Sequence, residues 1–458
     1  MEPTQRIDPN KTLMAGSPTV DPNRTQMLAG PPGFDPMRTQ AVPPFAAGPA
    51  LTATIVPGRE AAMANGPARE AFLLELAGGG GMAGARTPLN LCLVVDRSGS
   101  MEGAPLQYVK QACCHVVDLL GPNDVLSIVT FEEVVEVLMA PQRVTQKEPI
   151  KAGIGRITTG NTTNLYDGLS LAAQQVVQVQ DPGRATRIVV FTDGDPTAGI
   201  KDFSALVQHA GSIRGQGLGV TFLGFGPDYN EELLAAMAKR AGGNYYFIPS
   251  PEMIPEVFRK ELEALLTVVA RNLRLELKPA RWVTLRSPAG APGSTDREIV
   301  LDLPDLERGA ILEQAFDFEF ANHPLGWYRV AAGRLTYDDL STGRSEAVDL
   351  DFVIEFTADA ARYSAPVNPR VGQAVQLAQA SRAVEKTIMG LKTQQITRAA
   401  AVADLQKTQM LLLQEGRVTE AQEVTQALRA IQSGDTGSAE KTLIGTVLHL
   451  DQGKKTGP

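Results

Sequence analysis

Leu89-Asn90-Leu91-Cys92-Leu93-Val94-Val95-Asp96-Arg97-Ser98-Gly99-Ser100 is the stretch whose reading decides the fold. The apolar run from Leu89 to Val95 reads as a strand, and a helix-like segment follows from Pro105. Between them, Asp96, Ser98 and Ser100 place three short oxygen-bearing side chains at alternate positions. They converge on one point if the strand ends in a tight loop there. One carboxylate and two hydroxyls are hard ligands, suited to Mg²⁺ more than to a soft metal. Two later segments can complete the set. Gly160-Asn161-Thr162-Thr163-Asn164-Leu165 offers Thr163, and Phe191-Thr192-Asp193-Gly194 offers Asp193 after another apolar run.

Outward from Leu89, strands and helices alternate. Leu89–Val95, Val125–Phe131, Arg187–Thr192, Gly219–Phe225 and Tyr245–Ile248 are strand-like, and Val134–Met139 reads as an edge strand on a short turn. Helical stretches are expected over Pro105–Leu120, Leu165–Val179, Asp202–Gln216, Asn230–Ala241 and Pro251–Ala270. This alternation is the pattern of a doubly wound α/β unit. Such sheets place ligands at the carboxyl ends of their strands, where both Asp96 and Asp193 fall.

The five residues resemble the metal-ion-dependent adhesion site of von Willebrand factor A-type (VWA) domains, in the bacterial style. That family's pattern is Asp-x-Ser-x-Ser, a Thr on a second loop and an Asp on a third. Asp96, Ser98, Ser100, Thr163 and Asp193 match it in order, across roughly residues 86 to 265. The resemblance implies a Rossmann-like VWA fold, a bound Mg²⁺ (with Mn²⁺ as the substitute) and one open metal position that a partner's Asp or Glu fills. The charge balance agrees, because mostly neutral hydroxyl ligands leave the ion able to attract an external carboxylate. Asn164 is expected to shape its loop, and Asp167 to sit in the first turn of the next helix, facing its dipole.

The 458-residue chain has room for two or three domains. Its apolar content of 43% supports a sizeable core, and its net charge of −8 argues against a general nucleic-acid binder. Cys92, Cys113 and Cys114 make a disulfide framework implausible, and the four scattered histidines give no zinc spacing. No signal-like start and no apolar run of about 20 residues are present, so the expectation is a cytoplasmic protein without a membrane span.

Residues 1–48 read as a disordered tail rich in Pro, Gly, Thr and Met. They repeat a unit: Ile7-Asp8-Pro9-Asn10-Lys11-Thr12, Val20-Asp21-Pro22-Asn23-Arg24-Thr25 and Phe34-Asp35-Pro36-Met37-Arg38-Thr39. Thr12, Thr25 and Thr39 therefore look like kinase substrates, and phosphorylation would add about −1.5 to −2 charge at each. Phosphothreonines there would dock on Arg-lined pockets such as those of forkhead-associated (FHA) domains. The competing reading is a replicated, inert tail.

Residues 49–85 hold two strands, Leu51–Val56 and Glu70–Leu76, ahead of the VWA domain at 86–267. About five more strands follow over 268–360: Leu273–Lys278, Glu298–Leu303, Gln314–Glu319, Tyr328–Tyr337 and Val348–Phe356. The simplest packing is one β-sandwich with the α/β domain inserted between its strands, an order similar to bacterial A-type proteins and to the inter-alpha-trypsin inhibitor heavy chains. Residues 365–450 read as a C-terminal helical region. Its expected helices are Val371–Leu391, Thr393–Gln414 and Thr419–Gln432, with Gly416 as a stop and Thr419 with Gln422 as a capping box. The second and third of these resemble a tetratricopeptide-type hairpin, and Gln452–Pro458 is expected to fray.

Three functions compete. The first is a non-enzymatic interaction protein in bacterial kinase- and FHA-linked signalling. The second is a metal-dependent hydrolase, for which Glu102 and Asp195 are near the site but lack a visible partner for acid–base work. The third is an accessory VWA subunit of an AAA-type ATPase. The sequence favours the first.

Overall fold

A computed structural model describes residues 50–79, 86–225, 229–288 and 297–456. The repeats carrying Thr12, Thr25 and Thr39 lie outside the described residues. The chain enters on β1 (Leu51–Pro57), β2 (Ala61–Met63) and β3 (Ala68–Gly78). In β3 every second side chain, Phe72, Leu74 and Leu76, enters one core, while Leu73 on the opposite face packs against Val371 and Ala374.

The α/β unit follows. In chain order it comprises β4 (Leu89–Asp96), α1 (Ala104–Leu119), β5 (Val125–Phe131), β6 (Val135–Arg143), α2 (Lys147–Gly155), α3 (Leu165–Val177), β7 (Ala185–Thr192), α4 (Phe203–Gly215), β8 (Gly219–Phe225), α5 (Glu231–Ala241), β9 (Tyr245–Ile248) and α6 (Ile254–Leu265). The sheet order is β6-β5-β4-β7-β8-β9, parallel except for β6. Both faces are buried, so β4 is buried along its whole length and runs apolar from Leu91 to Val95 rather than alternating. Leu91 and Leu93 pack toward α1 and α6, while Cys92 and Val94 pack toward α3 and α4. The doubly wound expectation is met. The helix expected through Ala270 instead stops at Leu265, because Val268–Ala270 pair in a sheet with the strands that follow.

The remaining strands are β10 (Val268–Pro279), β11 (Val283–Ser287), β12 (Ile299–Asp302), β13 (Leu306–Glu307), β14 (Ala310–Phe320), β15 (Gly326–Asp339) and β16 (Arg344–Thr357). They share sheets with the strands that precede the α/β unit. One sheet runs β1-β3-β14-β11, and the other runs β12-β10-β15-β16-β2 with β13 also on β10. The ten-pair antiparallel register of β3 on β14, from Ala77↔Ile311 to Ala68↔Phe320, crosses the whole inserted unit in sequence. Phe72 stands edge-on to both Phe318 and Phe352 with centroids 5.7 Å apart, tying the two sheets together. Sequence reading missed the short β2, β11 and β13, whose few residues carry too little alternation.

The seam between sandwich and α/β unit is ionic. Asp305 accepts from Arg187 at 2.9 Å and lies 3.6 Å from Arg214, all three buried. Arg271 reaches back from β10 to the Thr186 hydroxyl and the Arg184 carbonyl, each at 3.0 Å.

The last segment is α7 (Ala360–Tyr363), α8 (Pro369–Lys392), α9 (Arg398–Gln414), α10 (Val418–Ser433), α11 (Thr436–Gln452) and β17 (Lys454–Thr456). Leu377, Val384, Leu405, Leu412, Val424 and Leu443 form its core. Three expectations change here. A fourth long helix, α11, exists; its Thr- and Gly-rich start hides it, but Asp435 caps it by accepting the Ser438 N–H at 3.0 Å. The capping box on Thr419 does not form, since α10 starts at Val418, and Arg417 at its N-cap is engaged with Glu420 instead. Lys454–Thr456 does not fray. It pairs with β14, where Lys455–Glu313 and Lys454–Glu307 ion pairs hold it at 2.7 Å. No helix of the described residues is long and apolar enough to cross a membrane.

Candidate metal centre

Asp96 ends β4 and is fully buried. The turn after it folds back because the Ser98 N–H donates to Asp96 Oδ1 at 2.9 Å. That fold brings the two serine hydroxyls within 3.1 Å of each other. Ser100 then donates to Asp193 Oδ1 at 2.8 Å, joining the end of β4 to the end of β7. Thr163 sits on the loop before α3 and is buried. Gly194 marks the meeting point: a β-carbon built there would lie 3.6 Å from the Ser100 hydroxyl and 3.7 Å from that of Thr163. All five residues singled out from sequence are thus gathered at the carboxyl ends of the strands.

Four residues that sequence reading did not assign hold this arrangement. The Thr192 hydroxyl donates to Asp96 Oδ2 at 2.7 Å, so both carboxyl oxygens of Asp96 are held. Thr197 braces the second loop twice: its hydroxyl accepts the Thr163 N–H at 2.9 Å, and its own N–H donates to the Thr163 carbonyl at 3.0 Å. Glu132 accepts the Asn161 N–H at 3.1 Å and pairs with Arg97 at 3.2 Å. Backbone N–H groups of Glu133 and Asn161 hold its carboxyl below the usual range. Gly199, at φ +65°, packs where a β-carbon would fall 2.2 Å from Asn164 Oδ1, so only glycine fits. The Thr directly before Asp193 was the available signal for Thr192; the others depend on tertiary contacts between loops. Asn164 and Asp167 take the places expected: Asn164 caps α3 by accepting the Asp167 N–H, and Asp167 lies in the first turn.

The electrostatics invite a cation. Burial pushes the Asp96 carboxyl up to about 7, against the pull of hydrogen bonds from Thr192 and Ser98, and nearby Asp193 adds to the rise. Among the described residues, no basic side chain forms an ion pair with Asp96. Arg97, the adjacent base, is turned to Glu132 and Glu136. The donor set of two carboxylates and three hydroxyls contains no nitrogen or sulfur. It therefore fits a hard, oxygen-preferring divalent ion. Among the described residues, no group of three or more His, Cys, Asp or Glu side chains gathers to form a different kind of metal site. Cys92, Cys113 and Cys114 are unbridged, and burial pushes the Cys92 thiol up to about 12.

Comparison with known proteins follows the same outline. Residues 90–260 match the family model of the von Willebrand factor type A domain. Over 230 residues the chain is 32% identical to an uncharacterized protein of Synechocystis, covering 50% of this chain and 53% of that protein. The chain thus spans about half the length of that curated relative. A von Willebrand factor type A protein from Catenulispora acidiphila aligns over 84% of this chain and 91% of its own, with 16% identity and a TM-score of 0.65. The ArnB paralog VWA2 from Sulfolobus acidocaldarius aligns over 88% and 99%, with 16% identity and a TM-score of 0.62. At such identity the likeness is one of fold, and it extends past the α/β sheet into the flanking sheets and helices.

Proposed function

We propose that the von Willebrand factor type A domain of residues 90–260 is a non-enzymatic, metal-dependent protein-binding module. VWA domains generally mediate protein–protein interaction, often through a metal at this kind of site. The observation that carries the reading is the convergence of Asp96, Ser98, Ser100, Thr163 and Asp193 on one point, with no ion pair to Asp96 among the described residues. These five residues would hold Mg²⁺, or Mn²⁺ in its place. When bound, the ion supplies a coordination position for an Asp or Glu carboxylate of a protein partner.

The protein's own residues do the rest. Thr192 and the Ser98 N–H fix the Asp96 carboxyl, and Thr197 fixes the Thr163 loop. The sandwich (residues 49–85 with 268–360) and the helical region (365–450) act as the platform. The finer proposal places this module in the cytoplasm, where unbridged Cys92, Cys113 and Cys114 are at home. There the Thr12, Thr25 and Thr39 repeats would link it to a Ser/Thr kinase and an FHA-domain protein. An accessory role beside an AAA-type ATPase is the alternative, and the threonine repeats favour the first.

Affinity purification from the native host with Mg²⁺ against chelator tests the reading. A partner retained with Mg²⁺, and lost both with chelator and in Asp96→Ala, is the expected result. A partner list unchanged by chelator would overturn it.

A further inference from the structure

The ground around the five residues is acidic. Glu102 closes the turn bearing Ser98 and Ser100, its N–H donating to the Gly99 carbonyl at 3.2 Å. Asp195 stands two residues past Asp193. Asp167 accepts at 2.8 Å from the Asn164 side chain, next to Thr163. Glu133 follows Glu132, which is tied to the Asn161 loop. All four side chains are exposed, and none forms an ion pair among the described residues. Beside this acidic ground lies an apolar spot. Ile200 and Phe203 are 43% and 44% exposed, and Phe203 is the one exposed aromatic residue among those described. An exposed aromatic beside a candidate binding centre suits an anchoring contact. A rim of this character repels an acidic segment. It suits a carboxylate carried among basic and apolar neighbours.

The chain contains that segment three times. Asp8, Asp21 and Asp35 each follow an apolar residue (Ile7, Val20, Phe34) and precede Pro. Each has Lys11, Arg24 or Arg38 three positions on. A proline disfavours the helical conformation for the residue before it, so these sequences favour an extended rather than a helical ligand. Reach is sufficient. Ala50 hydrogen-bonds Asp339, beside the β10 segment whose Val268 carbonyl takes the Thr87 hydroxyl, so it sits near the start of β4. Asp96 lies at the far end of that strand, roughly 23 Å along it at about 3.3 Å per residue. The stretch from Asp35 to Ala50 spans up to about 50 Å when extended, and the earlier repeats reach further.

We propose that the occupant of the metal centre is the chain's own N-terminal segment. One of Asp8, Asp21 or Asp35 offers its carboxylate to the centre within the same molecule, its basic residue against Glu102, Asp167 and Asp195, and its apolar residue on Ile200 and Phe203. The inference rests on the reading of the five residues as a metal centre. A tethered ligand of this kind has an effective concentration that a free partner must overcome, so the segment acts as a built-in competitor. Three copies make the capture tolerant of losing any one.

The test uses the full chain, isotopically labelled, with Mn²⁺ as the paramagnetic probe. Mn²⁺ binding is measured by electron paramagnetic resonance, and proximity by loss of N-terminal NMR peak height. The expected result is Mn²⁺ binding together with peak loss centred on Asp8, Asp21 and Asp35. That loss should disappear in the combined Asp8→Asn, Asp21→Asn, Asp35→Asn variant while Mn²⁺ still binds. Bound Mn²⁺ with undiminished N-terminal peaks would overturn the inference and leave the metal centre standing. Failure of Mn²⁺ to bind would remove both. Peak loss that persists in the triple variant, or that vanishes on dilution, would overturn the intramolecular capture.

Discussion

Ser100 donates its hydroxyl hydrogen to Asp193 at 2.8 Å, joining two loops 93 residues apart in sequence. With the Ser98–Ser100 contact and the Thr192–Asp96 bond, this makes the centre a network that the protein's own hydrogen bonds assemble. A cation entering it would meet two carboxylates and three hydroxyls already gathered.

Metal should therefore stabilise the fold measurably. Mg²⁺ at about a hundredfold excess over its dissociation constant is expected to add about 2.7 kcal/mol, through binding to the folded state alone. A thermal melt with and without Mg²⁺ reads this as a rise in Tm. Asp96→Ala should melt cooperatively and show no Mg²⁺-induced rise. A rise equal to wild type in that variant would show that the ion binds elsewhere.

Thr192→Val removes the bond that orients Asp96 while keeping shape. Partners that orient a metal ligand are commonly worth about 10- to 100-fold in metal affinity. Calorimetric titration with Mg²⁺ should show a loss in that range, and Thr192→Ser should restore most of it. An unchanged affinity in Thr192→Val would mean that Asp96 needs no such support.

The seam below the sheet gives a third expectation. Burial raises the Asp305 carboxyl, but Arg187 and Arg214 overcome this and hold it below its ordinary value of 3.8. Such a depressed group contributes stability that is present above 3.8 and lost as pH falls through the lower folded value. Asp305→Ala leaves two buried guanidiniums facing no carboxylate there and should cost about 3–5 kcal/mol. Denaturant unfolding at neutral pH measures the loss, and the gap between variant and wild type should narrow in acid.

The α/β unit was legible from sequence because its signals are local. Strands buried on both faces read as apolar runs, and Val125–Phe131, Gly219–Phe225 and Tyr245–Ile248 fall where the pattern puts them. The five candidate residues could be picked out because Asp96 ends β4, Ser98 and Ser100 follow it closely, Thr163 precedes the cap of α3 and Asp193 follows β7. What escaped notice depends on distant partners. Thr197 and Glu132 act only once their loops meet, and β17 forms only because the edge of β14 beyond β11 accepts Lys454–Thr456. The end of the helix after Pro251 was misjudged because Val268 and Val269 suit either a buried helix or a strand until β13 and β15 arrive to pair with them.

The helical region meets the VWA domain through a second, half-buried polar network, and this one should respond to pH. Tyr246 of β9 donates to Glu261 of α6 at 2.9 Å, and its ring lies 5.6 Å from that of His449 on α11. His449 Nδ1 lies 3.1 Å from Glu423 Oε1 on α10. Burial acts to lower the imidazole, but Glu423, with Glu420 and Glu261 adding, outweighs it and raises His449 above 6.5. A raised group contributes stability that is full below its unfolded value of 6.5 and lost as pH rises through the folded value. Stability measured from pH 6 to pH 9 should thus fall in wild type more than in His449→Gln, the two curves converging on the alkaline side. Parallel curves would mean that the imidazole binds its proton equally well in the folded and unfolded chain, so that its charge adds nothing and α10 and α11 are held together by Leu443, Val424 and their apolar neighbours alone.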